Sequence, residues 1–147
     1  MIISALKSSV DTDSRSPIHI DTISTLLNLG ADVFFEENIG RGINVSDKIF
    51  EQSGLKKSSR EECLKKGDLI ITNQPLGDDE LKLIKPNSTI LGMINPFSNQ
   101  ALIESCSNLK INLVSMEFIP RITRALVILG INSVSYTHLT LPTRIRV

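Results

Sequence analysis

Two arginines three residues apart, Arg121 and Arg124 in "PRITRA" (120–125), are the first place where side-chain type and spacing suggest chemistry. Residues at i and i+3 share one face of a helical turn, so both guanidinium groups can meet the same partner. A planar fork of donors suits phosphate or carboxylate, and it suits an acidic neighbour such as Glu117 equally well. Taken alone, the residues leave both readings open, an anion site and a structural ion pair. A third arginine, Arg15, stands in the polar stretch "KSSVDTDSRSP" (7–17). Gln74 in "TNQP" (72–75) and Asn95 in "INPF" (94–97) each follow an apolar run. Such segments are ordinary turn formers as well as candidate binding loops.

Other chemistries find less support. "GRG" (40–42) lacks the third glycine of a dinucleotide fingerprint, since Val45 stands at that position, and no GxxxxGK[ST] occurs; a turn is the expectation. His19 and His138 have no partner at triad or metal-ligand spacing, so neither a catalytic triad nor a metal is expected. Cys63 and Cys106 lie far apart without a CxxC pattern and read as buried free thiols.

The elements that must position these residues follow from periodicity. Nearly continuous apolar runs at 1–6, 31–37, 68–72, 88–94 and 111–116 read as buried strands. Helices are expected at 20–30, 46–54, 59–67, 77–84 and 98–109. Their signals include Ser46 as N-cap, Gly30 as C′ glycine and acids in the first turn of 77–84. Strand and helix alternate five times, which calls for an α/β fold with a parallel sheet buried on both faces by crossover helices. Ligands of such sheets bind beyond the carboxyl ends of the strands, where all the polar segments above converge.

Composition narrows the function. With 147 residues there is room for one domain with its own core. Sixteen basic residues balance 16 acidic ones, and only 4% are aromatic without any Trp, so nucleic acid is not an expected partner. No apolar run approaches the ~18 residues of a membrane span.

At "MEFIPRITRA" (116–125) the sequence resembles the family of proton-translocating NAD(P) transhydrogenase alpha subunits, whose NAD(H)-binding part is related to alanine dehydrogenase. The family pattern M-[DE]-x-[VI]-P-R-[IV]-[ST]-R-A is present throughout. "IDTISTLLNLGADVFFEENIGRGINVSD" and "GDLIITNQPLGDDELKLIKPNSTILGMINPFSN" are similar to further family segments in the same order. The resemblance covers residues 1–125 and implies a Rossmann-like or flavodoxin-like N-terminal domain. It also implies an enzyme using NAD(H) with no metal, moving hydride from NADH to NADP+ with coupled proton translocation.

Residue by residue, the resemblance places Arg121 beside the nicotinamide ring and Arg15 at the substrate-carboxylate arginine of alanine dehydrogenases. Gln74 and Asn95 fall where those enzymes carry a substrate-binding lysine and an acid–base histidine. Neither amide exchanges a proton near neutral pH, which favours transhydrogenase over amino-acid oxidation. The family continues A-Q-x-M-D-x-L-S-S, whereas this chain has Leu126 and Leu129 at the Gln and Asp positions. Two alternatives stand beside this reading, an alanine dehydrogenase-like enzyme and a non-enzymatic α/β module that binds small anions.

The resemblance also implies partners: a glycine-looped Rossmann domain of the same subunit, a beta subunit with membrane domains, and a second copy in a homodimer. The segment would then lie at the cytoplasmic face of the inner membrane and be inactive alone. Residues 126–133 diverge from the family, and "VSYTHLTLPTR" matches the translation of a common transposase-type sequencing adapter. Residues 134–147 are therefore read as a non-native tail.

Overall fold

The computed structural model describes residues 1–10 and 13–119. Each expected apolar run forms a strand: β1 (Ile2–Ala5), β2 (Asp32–Glu36), β4 (Leu69–Thr72), β5 (Thr89–Gly92) and β6 (Asn112–Ser115). The expected helices are α1 (Ile20–Asn28), α2 (Asp47–Gln52), α3 (Arg60–Lys66), α4 (Asp78–Leu81) and α5 (Gln100–Asn108). One strand departs from the expectation, β3 (Lys56–Ser58), which pairs with β2 at the sheet edge. Its "KKS" has no apolar alternation, because an edge strand need not bury its side chains.

The strands run parallel in the order β3-β2-β1-β4-β5-β6. The chain builds outward from β1 to one side through β2 and β3, then returns to place β4 on the other side. Between β1 and β4 the order reverses. Loops leaving the carboxyl ends of these two neighbours depart in opposite directions, and a crevice opens where they separate.

Period-2 alternation sorts the apolar residues onto two faces. On one face Ile3, Ala5, Val33 and Phe35 pack with Ile23 of α1 and Phe50 of α2. There the rings of Phe35 and Phe50 lie 5.4 Å apart at a tilt of 46°. On the other face Ile70 and Ile90 pack with Cys63 and Leu64 of α3, Leu81 of α4, and Leu102 and Cys106 of α5. The layers are not equally complete. Among the described residues, Leu91 of β5 is half-buried and Val114 of β6 is 43% exposed, so the helical cover expected on both faces does not reach the whole sheet.

Helix ends follow local chemistry. Gly30 takes φ +74° immediately after α1, as a C′ glycine should. Ser59 caps α3 by accepting the Glu62 N–H at 3.3 Å. Ser46 occupies the N-cap of α2, but its hydroxyl makes no cap bond; the Asp47 carboxylate instead accepts the Asn38 N–H. Asn38, at φ 63°, stands in the left-handed region that Asn tolerates.

Candidate functional site

A cleft of about 470 Å³ opens where the sheet order reverses. Ser8, Val10, Asp13 and Arg15 from the loop after β1 form one wall, and Asn73, Gln74 and Pro75 after β4 form the other. Thr72 makes the second loop turn tightly: its hydroxyl donates to the Gln74 carbonyl at 2.9 Å and accepts the Gln74 N–H at 3.3 Å. Gln74 then spans the crevice. Its Oε1 accepts the Ser8 hydroxyl at 2.9 Å and the Ser9 N–H at 3.0 Å, while Nε2 donates to Ser9 Oγ. Asn73 Nδ2 donates to the Arg15 carbonyl at 3.1 Å. Two amide side chains thus tie the walls together.

Gly42 fixes where the first wall lies. A Cβ there would stand 1.9 Å from the Ser14 carbonyl oxygen, so only glycine lets the loop carrying Arg15 dock so closely. "GRG" is accordingly a packing turn, with Arg41–Ile43 forming a 3₁₀ turn.

Arg15 does not stand alone in the cleft. Its Nε donates to Asp13 Oδ1 at 2.8 Å and its Nη2 to Asp13 Oδ2 at 2.9 Å. The Arg15 backbone N–H adds a bond to Oδ1 at 3.1 Å. These bonds hold the Asp13 carboxyl below its ordinary value of 3.8 despite partial burial. The acid is 12% exposed in its side chain and the arginine 63%, so the base is the member that faces solvent.

A second arginine braces the cleft from below. Arg60, the first residue of α3, donates from Nη1 to Glu36 Oε2 at 2.8 Å and to the Lys7 carbonyl at 3.0 Å, and from Nε to Glu80 Oε1 at 2.6 Å. Glu36 also accepts the Lys7 N–H, and Glu80 the Gly77 N–H. Lys7 immediately precedes Ser8, and Gly77 comes two residues after Pro75, so one guanidinium joins the roots of both walls. Burial works against its charge, but the two carboxylates outweigh it and raise the Arg60 pKa further. Beneath it Cys63 is fully buried, and burial with the nearby Glu36 charge pushes its thiol up to about 12.

Of the residues singled out from the sequence, the cleft brings together Arg15 and Gln74. Asn95 lies elsewhere, after β5, in the left-handed region at φ 48°. Glu117 holds it there, accepting the Asn95 N–H at 2.7 Å and the Ser115 hydroxyl. Burial pushes the Glu117 carboxyl up, yet these bonds outweigh it and keep the acid below the usual range. Arg121, Arg124, Leu126, Leu129, His138 and the tail fall outside the described residues. His19 caps α1 by accepting the Asp21 N–H at 3.5 Å. Both cysteines are buried free thiols. Among the described residues, no cluster of His, Cys, Asp or Glu is arranged to hold a metal ion. No described helix is long and apolar enough to cross a membrane.

Sequence reasoning misses Asp13, Asn73, Arg60 and Gly42. Only Asp13 carries a local signal, the acid two residues before an arginine in "DSR". The partners of Arg60 lie 20, 24 and 53 residues away, which only the fold reveals.

Comparison with known proteins agrees with this geometry. Residues 6–135 match the family model described as alanine dehydrogenase/PNT, N-terminal domain. An NAD(P) transhydrogenase alpha subunit of Rickettsia prowazekii, the first portion of a divided subunit, is 30% identical over 130 residues, covering 85% of this chain and 34% of that protein. In structure, the chain is similar to the transhydrogenase of Sinorhizobium meliloti, with a TM-score of 0.79, 23% identity, and coverage of 84% of this chain and 37% of that one. An L-alanine dehydrogenase superposes with a TM-score of 0.73 at 18% identity, covering 80% and 32%. At these identities the superpositions show the fold. The chain spans about a third of the length of these relatives.

Proposed function

The chain belongs to the alanine dehydrogenase/PNT N-terminal domain family, and on that premise we propose that it forms one wall of the NAD(H) cleft of an NAD(P) transhydrogenase alpha subunit. The observation that carries this reading is the lining of the switch-point cleft: amides, serines, a proline and an arginine already joined to its own carboxylate. None of these side chains takes up and returns a proton near neutral pH. Hydride exchange between two nicotinamides needs no such group, whereas oxidation of an amino acid does.

The residues fit a dihydronicotinamide, which when bound supplies the hydride. Arg15, Asn73 and Gln74 offer hydrogen bonds around a crevice large enough for the ring. Gln74, tied to Ser8 and Ser9, keeps the walls at fixed separation. In the complete enzyme Arg121 stands by the ring, with Arg124 nearby. Because Leu126 and Leu129 are apolar, they give the ring no hydrogen bond. The pyrophosphate is gripped by a glycine-looped domain of the same subunit, since the 147 residues hold no GxGxxG. That subunit works as a homodimer with a beta subunit and membrane domains at the cytoplasmic face of the inner membrane, coupling hydride transfer to proton movement. Residues 1–125 form the family domain, 126–133 a divergent segment and 134–147 a non-native tail.

The test is deuterium transfer from NADH labelled at C4 to NADP+ by the complete gene product. Transfer supports the reading; pyruvate-dependent oxidation of NADH in its place would replace it with alanine dehydrogenase. The 147-residue chain by itself is expected to hold NADH weakly, so micromolar binding in calorimetry would count against this division of the cleft.

A further inference from the structure

We propose that the switch-point cleft selects an uncharged primary amide over a carboxylate, and that Asp13 sets this preference by occupying one edge of the Arg15 guanidinium. The inference rests on the nicotinamide reading above and names the group of the ligand that this wall would meet.

A guanidinium presents two bidentate edges, Nε with Nη2 and Nη1 with Nη2. Asp13 takes the first edge with both carboxylate oxygens. The pair is therefore neutral, and an arriving anion meets the full negative charge of Asp13 behind the positive charge it seeks. The remaining capacity of the cleft is mixed in kind. Among the described residues, Arg15 Nη1 keeps its donors, and Asn73 keeps Oδ1 as an acceptor because its Nδ2 is spent on the Arg15 carbonyl. Gln74 has both ends engaged by Ser8 and Ser9. One donor edge and one acceptor on the same cleft complement a primary amide, whose oxygen accepts and whose NH₂ donates. A carboxylate can use only the donor and leaves its second oxygen against Asn73 Oδ1.

Nothing in this argument depends on the family's carboxylate-binding role for an arginine at position 15. It reverses that role, since the same arginine here arrives already saturated along one edge. The acid that does so has no other hydrogen-bonded cation among the described residues. Its carboxyl is held ionised by Arg15 over the whole range in which an NAD(H) site works.

Nicotinamide and nicotinate test the idea, being the same ring with an amide or a carboxylate. Each is titrated into the ¹⁵N-labelled 147-residue chain while the Arg15 Nε–H and Asn73 Nδ2–H₂ resonances are followed. Nicotinamide is expected to shift both with a roughly millimolar Kd, the range open to a ligand of this size. Nicotinate should bind about tenfold more weakly. Asp13→Asn removes the countercharge and should bring nicotinate level with or ahead of nicotinamide, while Arg15→Gln should abolish both responses. The acetamide and acetate pair on the unaltered chain must give the same order, which keeps the test open should Asp13→Asn fail to fold.

Tighter binding of nicotinate to the unaltered chain overturns the proposal. So does an unchanged ratio in a folded Asp13→Asn variant, or no response to either compound. Hydride transfer by the complete gene product with nicotinate favoured here would sink only this inference. Amide preference without such transfer would sink only the proposed function.

Discussion

Arg15 and Arg60 each hold carboxylates at the same end of the same sheet, yet they are different devices. Arg60 is 24% exposed in its side chain and gathers partners from β2, the residue after β1 and the start of α4, so its bonds exist only when the fold exists. Arg15 is 63% exposed and its partner lies two residues away, so that pair can form in a short loop with little help. Long sequence separation with burial makes an ionic group structural. Short separation with exposure leaves it available, and here the available one lines the cleft.

Removing Arg60 should do the greatest damage. Arg60→Ala leaves Glu36, 9% exposed in its side chain, without its cation. Allowing for partial exposure, the loss is about 2–3 kcal/mol, read from urea unfolding. The same variant should release Cys63. In the native chain a thiol pushed up to about 12 and fully buried should resist alkylating reagents at mildly alkaline pH, and Arg60→Ala should shorten that protection. Equal labelling rates in the two proteins would show that the brace does not cover the thiol.

An intermediate effect is expected at Gly42. An alanine Cβ must displace the Ser14 backbone, costing about 1–3 kcal/mol as overpacking, and it should lengthen the Asn73–Arg15 bond. Loss of stability with unchanged Asn73 side-chain amide shifts would separate the turn from the cleft.

Asp13→Ala should matter least to stability, below about 1 kcal/mol, as exposed pairs do. Its pH dependence sharpens the contrast. The folded pKa is depressed below 3.8, so any stability from Asp13 is fully present above that value and fades as pH falls through the lower, folded one. The difference in Tm between native chain and variant should therefore stay flat from about pH 8 to about pH 5 and close only in acid.

These two arginines also mark what can be read without a structure. Periodicity locates five of the six strands and all five helices because their apolar residues must face a core on fixed spacings, as Ile3, Val33 and Ile70 do. β3 escapes because its lysines point to no core. Arg15 and Gln74 are reached through a family pattern, while Arg60 resembles any charged first residue of a helix. Asp13 is legible as the acid of "DSR" but carries no weight until its carboxylate is seen wrapped around the arginine. Spacing shows which residues share a face; it does not show which distant charges will meet.

The three-residue edge of the sheet has an outcome for assembly. Lys56 and Lys57 are held by Asp32, Glu37 and Asp47, so the rim beside the open backbone of β3 is studded with hydrated ions of both signs. A strand from another molecule seeking to extend the sheet there would have to strip or displace them. That flank repels casual polymerisation, and a neighbour that docks on this domain must find its footing on another side.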